Sequence, residues 1–168
     1  MYRALRRVLE RYLDRTGFRV VHVSIQKNHL HLLVEAEDRR ALTAGMQSFA
    51  INAARALHAC DGSSGKVFAY RYHATQIRTA RQARNALTYV LNNWRRHRED
   101  VANARTLAAK LDPYASGPAF GGWSQRLRFG LPKGYTPLPV SAPSTSLLQF
   151  DWQQFGLIDL YETPGPPQ

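Results

Sequence analysis

Apolar and polar side chains alternate along two short neighbouring segments, residues 18–26 and 29–36. A period of two is typical of half-buried β-strands. Lys27 and Asn28 lie between the segments, and asparagine is a common turn residue. The pattern therefore predicts an antiparallel β-hairpin.

Apolar residues at spacings of three and four predict helices on both sides of this hairpin. Thr16-Gly17 ends the first helix and Asp38 caps the second. Residues 66–77 fit either another strand or an extended arm. The predicted helices cover residues 2–15, 39–59, 79–97 and 100–110.

The order of these elements is helix, strand, strand, helix, strand, helix. It predicts an α+β fold, a ferredoxin-like sandwich with an antiparallel sheet and helices on one face, without the strand that precedes the first helix in that fold. From Asp112 the chain becomes rich in Pro and Gly, which favours an extended, weakly structured arm. We therefore divide the chain into a domain of residues 1–110 and an arm of residues 111–168, with a terminal helix over 147–161.

Composition adds a strong positive charge. The 168 residues carry a formal net charge of +11, mostly from arginine, and include 18 aromatic residues. The guanidinium group of arginine binds phosphate and stacks on bases, so a nucleic-acid partner is favoured over a generally basic protein.

Cys60 is the only cysteine, which excludes an internal disulfide. The sequence has neither an apolar run of about 18 residues nor a signal peptide, so we expect no membrane association and a cytoplasmic location.

Two histidines of the second strand are the first candidates for chemistry. His29 and His31 share one face of that strand and are about 7 Å apart along it, so both imidazoles can bind one metal ion. His-x-His alone is a common pattern, and a metal ion bound by two histidines needs a third ligand.

On the last long helix, Asn93 follows Tyr89 by one turn and can supply an amide oxygen beside a phenol. A metal that polarises a phosphodiester would make such a tyrosine a nucleophile for transesterification.

Two motifs together resemble those of a known family. They are Asn-His-Leu-His-Leu-Leu-Val at 28–34 and Ala-Leu-Thr-Tyr-Val-Leu-Asn-Asn at 86–93. In this order, on a strand and a later helix, they are similar to the single-tyrosine HUH, IS200-like transposases, and above all to their REP-associated branch. The similarity covers most of residues 1–110.

The resemblance implies a ferredoxin-like fold and a Mg²⁺ or Mn²⁺ cofactor. It implies that the substrate is single-stranded DNA with a hairpin. We expect the protein to be a monomer or a homodimer. The resemblance also implies that His29, His31 and Asn93 are metal ligands and that Tyr89 forms a 5′-phosphotyrosine. The family begins with a strand before the first helix, whereas this sequence begins at that helix. We expect this difference to leave strand edges exposed.

Basic residues flank the tyrosine on its helix, and we expect them to bind DNA phosphates. A solvated helix face is the alternative interpretation. The candidates are Arg78, Arg81, Arg84, Arg95 and Arg96.

Two other functions fit parts of the sequence. His22-Val-Ser24 and His73-Ala-Thr75 match the His-x-Ser/Thr pattern of metal-independent two-histidine phosphoesterases. A catalytically inactive nucleic-acid-binding relative is the second alternative. The variant His29→Ala separates the enzymes, because it would abolish only the activity that depends on the HUH histidines.

Overall fold

The computed structural model describes residues 1–102, 110–125 and 134–165. A two-stranded antiparallel sheet lies among helices, which confirms the α+β class. Most of the helix predicted over 100–110 lies outside the described residues. The elements are α1 (Tyr2–Glu10), β1 (Phe18–Ile25), β2 (Leu30–Ala36), α2 (Arg39–Asp61), α3 (Ala80–Arg96) and α4 (Ser146–Gln149).

The hairpin pairs Ile25 with Leu30 at its turn and Phe18 with Ala36 at its open end. A bulge in β1 shifts the register between Val20 and His22. Because of the bulge, the apolar residues on either side of it stay on one face of the sheet. Those residues are Phe18, Val20, Val23 and Ile25, and they pack with one hydrophobic cluster.

The helices lie on both faces of the sheet. The first cluster joins β1 to α1 and α2, and includes Leu5, Leu9 and Phe49. On the opposite face, Val21 and Leu33 pack against Leu87 and other apolar residues of α3. The prediction that the helices share one face is therefore corrected. The apolar stripe of α3 needs a sheet surface of its own, since α1 and α2 already cover the other one.

Local signals set the ends of the two long helices. The Asp38 side chain accepts a hydrogen bond from the Ala41 amide at the start of α2, and Gly62, with a φ of +69°, caps its C-terminal end. Thr79 and Gln82 form a capping box at the start of α3. This cap fixes where α3 begins, with Thr79 ten residues before Tyr89.

Three predicted elements differ from the structure. The first helix ends at Glu10 rather than residue 15, and turns replace its last part. Residues 66–77 form no strand. The terminal helix predicted over 147–161 is broken into α4 and a 3₁₀ turn at Asp151–Phe155. No helix among the described residues is long and apolar enough to cross a bilayer.

The C-terminal part of the chain is packed rather than weakly structured where it is described. Segment 114–116 pairs with the outer edge of β1: the Ile25 amide donates to the Tyr114 carbonyl, and the Ser116 amide donates to the Val23 carbonyl. Further along, the side chains of Trp152 and Ile158 are buried in the α3 cluster. This edge of β1 is therefore covered by the arm instead of being exposed.

Candidate active site

The two HUH histidines converge at the hairpin turn. The Nε2 atoms of His29 and His31 are 2.9 Å apart, and their ring centroids are 4.5 Å apart. Two nitrogens bound at right angles to one ion, each at about 2.1 Å, would be separated by roughly 3.0 Å. The observed separation therefore fits two neighbouring ligands of a single metal ion.

Asn28 orients the first of these histidines. Nδ1 of His29 donates a hydrogen bond to Oδ1 of Asn28 at 2.7 Å. In a neutral imidazole this places the proton on Nδ1 and leaves the lone pair on Nε2. Nε2 of His29 is thus the acceptor in the contact with His31. Asn28 therefore orients His29 in addition to forming the turn, and the sequence pattern had indicated only the turn.

Both imidazoles favour the neutral form that binds metals. Burial, together with the nearby His29 and His97, lowers the pKa of His31 to about 4. Partial burial and His97 also lower the pKa of His29, against the opposing effect of Glu99. At neutral pH both imidazoles are therefore uncharged, and binding of a metal ion requires only that His31 Nε2 give up the proton it shares with His29.

Tyr89 lies beside this pair because α3 packs on the histidine face of the sheet. Its ring centroid is 4.9 Å from that of His31, with the rings nearly perpendicular. Leu87, Val90 and Leu91 on the neighbouring positions of α3 are buried in the cluster with Val21 and Leu33. This packing fixes the helix rotation and leaves the Tyr89 phenol half-buried at the site.

Asn93, one turn further along α3, is fully buried, and neither its Oδ1 nor its Nδ2 has a hydrogen-bond partner. An unpaired buried amide costs about 1–3 kcal/mol, so such groups often have a functional role. Within residues 1–102, 110–125 and 134–165, no three side chains of the His, Cys, Asp and Glu types form a metal-binding group. The unpartnered Asn93 amide is a candidate for a further ligand of another type.

His97 is a site residue that sequence reasoning missed. It follows Asn93 by four residues at the end of α3, and its ring centroid is 6.5 Å from that of His29. The signal was present, because Tyr89, Asn93 and His97 form one stripe at a spacing of four. The rings of Tyr89, His31, His29 and His97 therefore follow one another across the site.

The predicted DNA-binding arginines are mostly engaged by the C-terminal segment. Arg84 forms an ion pair with Glu162, Arg95 donates to the Leu160 carbonyl, and Arg96 donates to the Gly165 carbonyl. The Arg81 guanidinium lies 4.4 Å from the centroid of the Phe155 ring. Arg78 differs, since it is exposed and its side chain bonds only to Gln76 among the described residues.

The histidines of the phosphoesterase alternative have different environments. His22 is buried, and its Nδ1 is 3.0 Å from Oγ of Ser116. Burial lowers the pKa of His22 to about 4. His73 is exposed on the segment before α3. His22 is therefore a structural residue that connects β1 to the C-terminal arm.

The candidate active site coincides with a family match. Residues 1–93 match the family model described as Transposase IS200 like, and this span contains His29, His31, Tyr89 and Asn93. The chain belongs to the IS200-like transposase family, whose substrate is DNA. No curated protein and no solved structure is similar enough to the chain to count as a match.

Proposed function

We propose that this transposase is a single-tyrosine HUH enzyme of the REP-associated type, which cleaves and rejoins single-stranded DNA next to a hairpin. The observation that supports this best is the buried, unpartnered amide of Asn93, one helical turn from Tyr89 on the helix that faces the paired histidines. A purely structural helix would gain nothing from an unsatisfied amide at this position.

His29, His31 and Asn93 would hold the metal ion, Mg²⁺ or Mn²⁺. Two converging Nε2 atoms and an amide oxygen fit such an ion, and the imidazoles favour Mn²⁺ over the harder Mg²⁺. When bound, the ion supplies Lewis-acid polarisation of the scissile phosphate. Asn28 keeps the His29 lone pair directed towards the ion through its hydrogen bond to Nδ1.

Tyr89 carries the covalent chemistry. Its phenolic oxygen attacks the phosphorus, a bond from that oxygen to the 5′-phosphate forms, and the bond from phosphorus to the 3′ oxygen breaks. The phenol loses its proton and the departing 3′ oxygen gains one, so the products are a 5′-phosphotyrosine and a free 3′-OH. No water is consumed, and attack by a 3′-OH on the phosphotyrosine rejoins a strand.

A covalent-trapping experiment tests the reaction. The full chain is incubated with hairpin DNA that carries single-stranded flanks and a label at its 3′ end, together with Mn²⁺ or Mg²⁺, and the products are resolved on a denaturing protein gel. We expect a metal-dependent protein–DNA band that disappears in Tyr89→Phe. Tyr161→Phe, at an exposed tyrosine outside the site, is the matched control and should retain the band.

The same gel separates the alternatives. DNA binding in solution without a covalent band, in any metal, would contradict the proposed reaction and favour an inactive binding protein. A band that persists in Tyr89→Phe would assign the nucleophile to another residue. Loss of the band in His29→Ala is also expected, whereas a metal-independent two-histidine phosphoesterase would not need that residue.

A further inference from the structure

The segment between α2 and α3 exposes two tyrosines. All residues from 69 to 76 are exposed and lie outside regular secondary structure. Tyr70 is 90% exposed and Tyr72 is 42% exposed. Tyr70 is the most exposed of the large hydrophobic residues in the described part of the chain, so packing does not explain this pair of neighbouring tyrosines on an irregular segment.

The side chains of residues 70–73 also have no internal partners among the described residues. In the part of the chain that the structure describes, Tyr70, Arg71, Tyr72 and His73 make no side-chain hydrogen bond, ion pair or ring contact, and the backbone amides of 64–77 donate to no backbone carbonyl. Nothing among the described residues therefore competes with a ligand for these side chains.

The stretch of sequence around this segment carries only positive charge. Residues 62–98 contain no Asp or Glu but include Lys66 and seven arginines. Arg81, Arg84, Arg95 and Arg96 already contact the C-terminal segment. Of the arginines within residues 62–96, Arg71 and Arg78 are left for an external anion, and both belong to the exposed segment or its end.

We propose that Tyr70 and Tyr72 form a stacking surface for unpaired bases of single-stranded DNA, with Arg71 binding an adjacent phosphate. The proposal rests on the proposed function and assigns the single strand a place on the protein. The combination of aromatic and basic residues is typical of single-strand binding surfaces. The segment leads into the cap of α3 at Thr79, and Tyr89 lies about 15 Å further along that helix at roughly 1.5 Å per residue. A strand bound here would lie next to the start of the helix that carries the nucleophile.

Binding can be measured without cleavage. The full chain carrying Tyr89→Phe is titrated in EDTA against fluorescein-labelled dT15, with fluorescence anisotropy as the readout, and against an abasic strand of equal length. Replacing one stacking tyrosine should weaken dT15 binding about 5- to 150-fold. We therefore expect Tyr70→Ala and Tyr72→Ala to show this loss, and Tyr70→Phe and Tyr72→Phe to retain binding.

The controls separate stacking from charge and from folding. Phe150→Ala, at another exposed aromatic, should bind dT15 like the parent protein. The tyrosine variants should bind the abasic strand as the parent does, because no base is present to stack. In a plot of the logarithm of the binding constant against the logarithm of the salt concentration, Arg71→Ala should reduce the magnitude of the slope by about 0.7. This is the change expected for one lost phosphate contact to a single strand.

Three results would overturn the proposal. They are unchanged dT15 binding by both alanine variants, equal losses on dT15 and the abasic strand, and absence of dT15 binding by the parent protein. The first would leave the tyrosines free to bind a protein partner instead. Because the assay uses a protein that cannot form a phosphotyrosine, failure of the cleavage reaction does not affect its outcome.

Discussion

Arg84 of α3 and Glu162 near the end of the described chain form a bidentate ion pair, with nitrogen–oxygen distances of 2.7 and 2.9 Å. The same guanidinium also donates to the carbonyls of Gly156 and Leu157. Asn92, two turns later, donates to the carbonyls of Asp159 and Glu162. The C-terminal segment is thus fastened along the helix that carries Tyr89, and the stability of the site depends on residues beyond the family match.

Glu162→Gln should destabilise the protein by about 1–3 kcal/mol, because Arg84 is half-buried and would lose its charged partner. The Arg84 hydrogen bond lowers the pKa of Glu162 from its usual 4.5. The parent protein should therefore keep this stabilisation above pH 4.5 and lose it as the pH falls towards the pKa of the folded state. Urea unfolding followed by tryptophan fluorescence measures both effects.

The exposed i,i+4 pair of Arg6 and Glu10 offers a matched control. Glu10→Gln should change the unfolding free energy by no more than about 0.5 kcal/mol. Equal losses in the two variants would show that the contact between Arg84 and Glu162 adds no more than a surface ion pair.

Asn28→Ala should weaken Mn²⁺ binding about 10- to 100-fold, as expected when an orienting partner of a metal-binding histidine is removed. In the metal-free protein, long-range ¹H–¹⁵N NMR should show the Nδ1–H tautomer of His29 in the parent and a mixture of tautomers in the variant. Isothermal titration with Mn²⁺ gives the affinity. The NMR result does not require activity of the enzyme.

Asn28→Asp is the conservative counterpart, since it keeps an acceptor oxygen at the same place. It should preserve the Nδ1–H tautomer and most of the affinity. If Asn28→Ala leaves the tautomer of His29 unchanged, the hydrogen bond from Nδ1 to Asn28 does not orient the ring.

Short-range patterns carried most of what the sequence could predict. The period of two places His29 and His31 on one face, and the observed face is the one that α3 covers. The spacing of four puts Asn93 one turn after Tyr89, and the capping residues at Thr79 and Gln82 set the start of that helix. These features depend on neighbours within a few residues, which the sequence displays directly.

Long-range packing was the part that could not be predicted. Arg84 and Glu162 are 78 residues apart, and nothing near either residue indicates the other. The hydrogen bonds between segment 114–116 and β1 involve backbone atoms, which leave no mark in the sequence. A stretch rich in Pro and Gly therefore suggested a loose arm, although its tryptophans and leucines complete the core around α3.

The difference in unfolding free energy between Asp112→Asn and the parent protein should change in favour of the variant as the pH rises from 4 to 7. Burial raises the pKa of Asp112 to about 7, and Glu99 adds to this shift against the opposing effects of the Tyr114 amide, Ser24 and Arg95. The folded state then binds more protons than the unfolded state across this range, so stability falls with pH by up to about 1.4 kcal/mol per unit. The amide does not titrate and removes this dependence.

Urea unfolding of both proteins at pH 5, 6, 7 and 8 checks the difference. The buried His22 changes stability in the opposite direction, because its pKa is lowered to about 4, but it is present in both proteins and cancels. Parallel stability curves for the parent and the variant would show that Asp112 is ionised throughout this range.

Asn93→Leu should stabilise the metal-free protein while abolishing its response to metal. Both polar atoms of the buried Asn93 side chain lack partners, so replacing the amide by an apolar group removes a penalty of about 1–3 kcal/mol. The parent protein should gain stability on addition of Mn²⁺, because a ligand that binds only the folded state raises the unfolding free energy. The variant has lost the proposed third ligand and should gain little.

Asn92→Leu is the matched control, because Asn92 is equally buried but donates two hydrogen bonds to the C-terminal segment. It should destabilise the metal-free protein and keep the response to Mn²⁺. Thermal unfolding of the parent protein and both variants, in EDTA and in Mn²⁺, gives all six values. If Asn93→Leu destabilises the protein in EDTA as much as Asn92→Leu does, the Asn93 amide has a structural role and another group must complete the metal site.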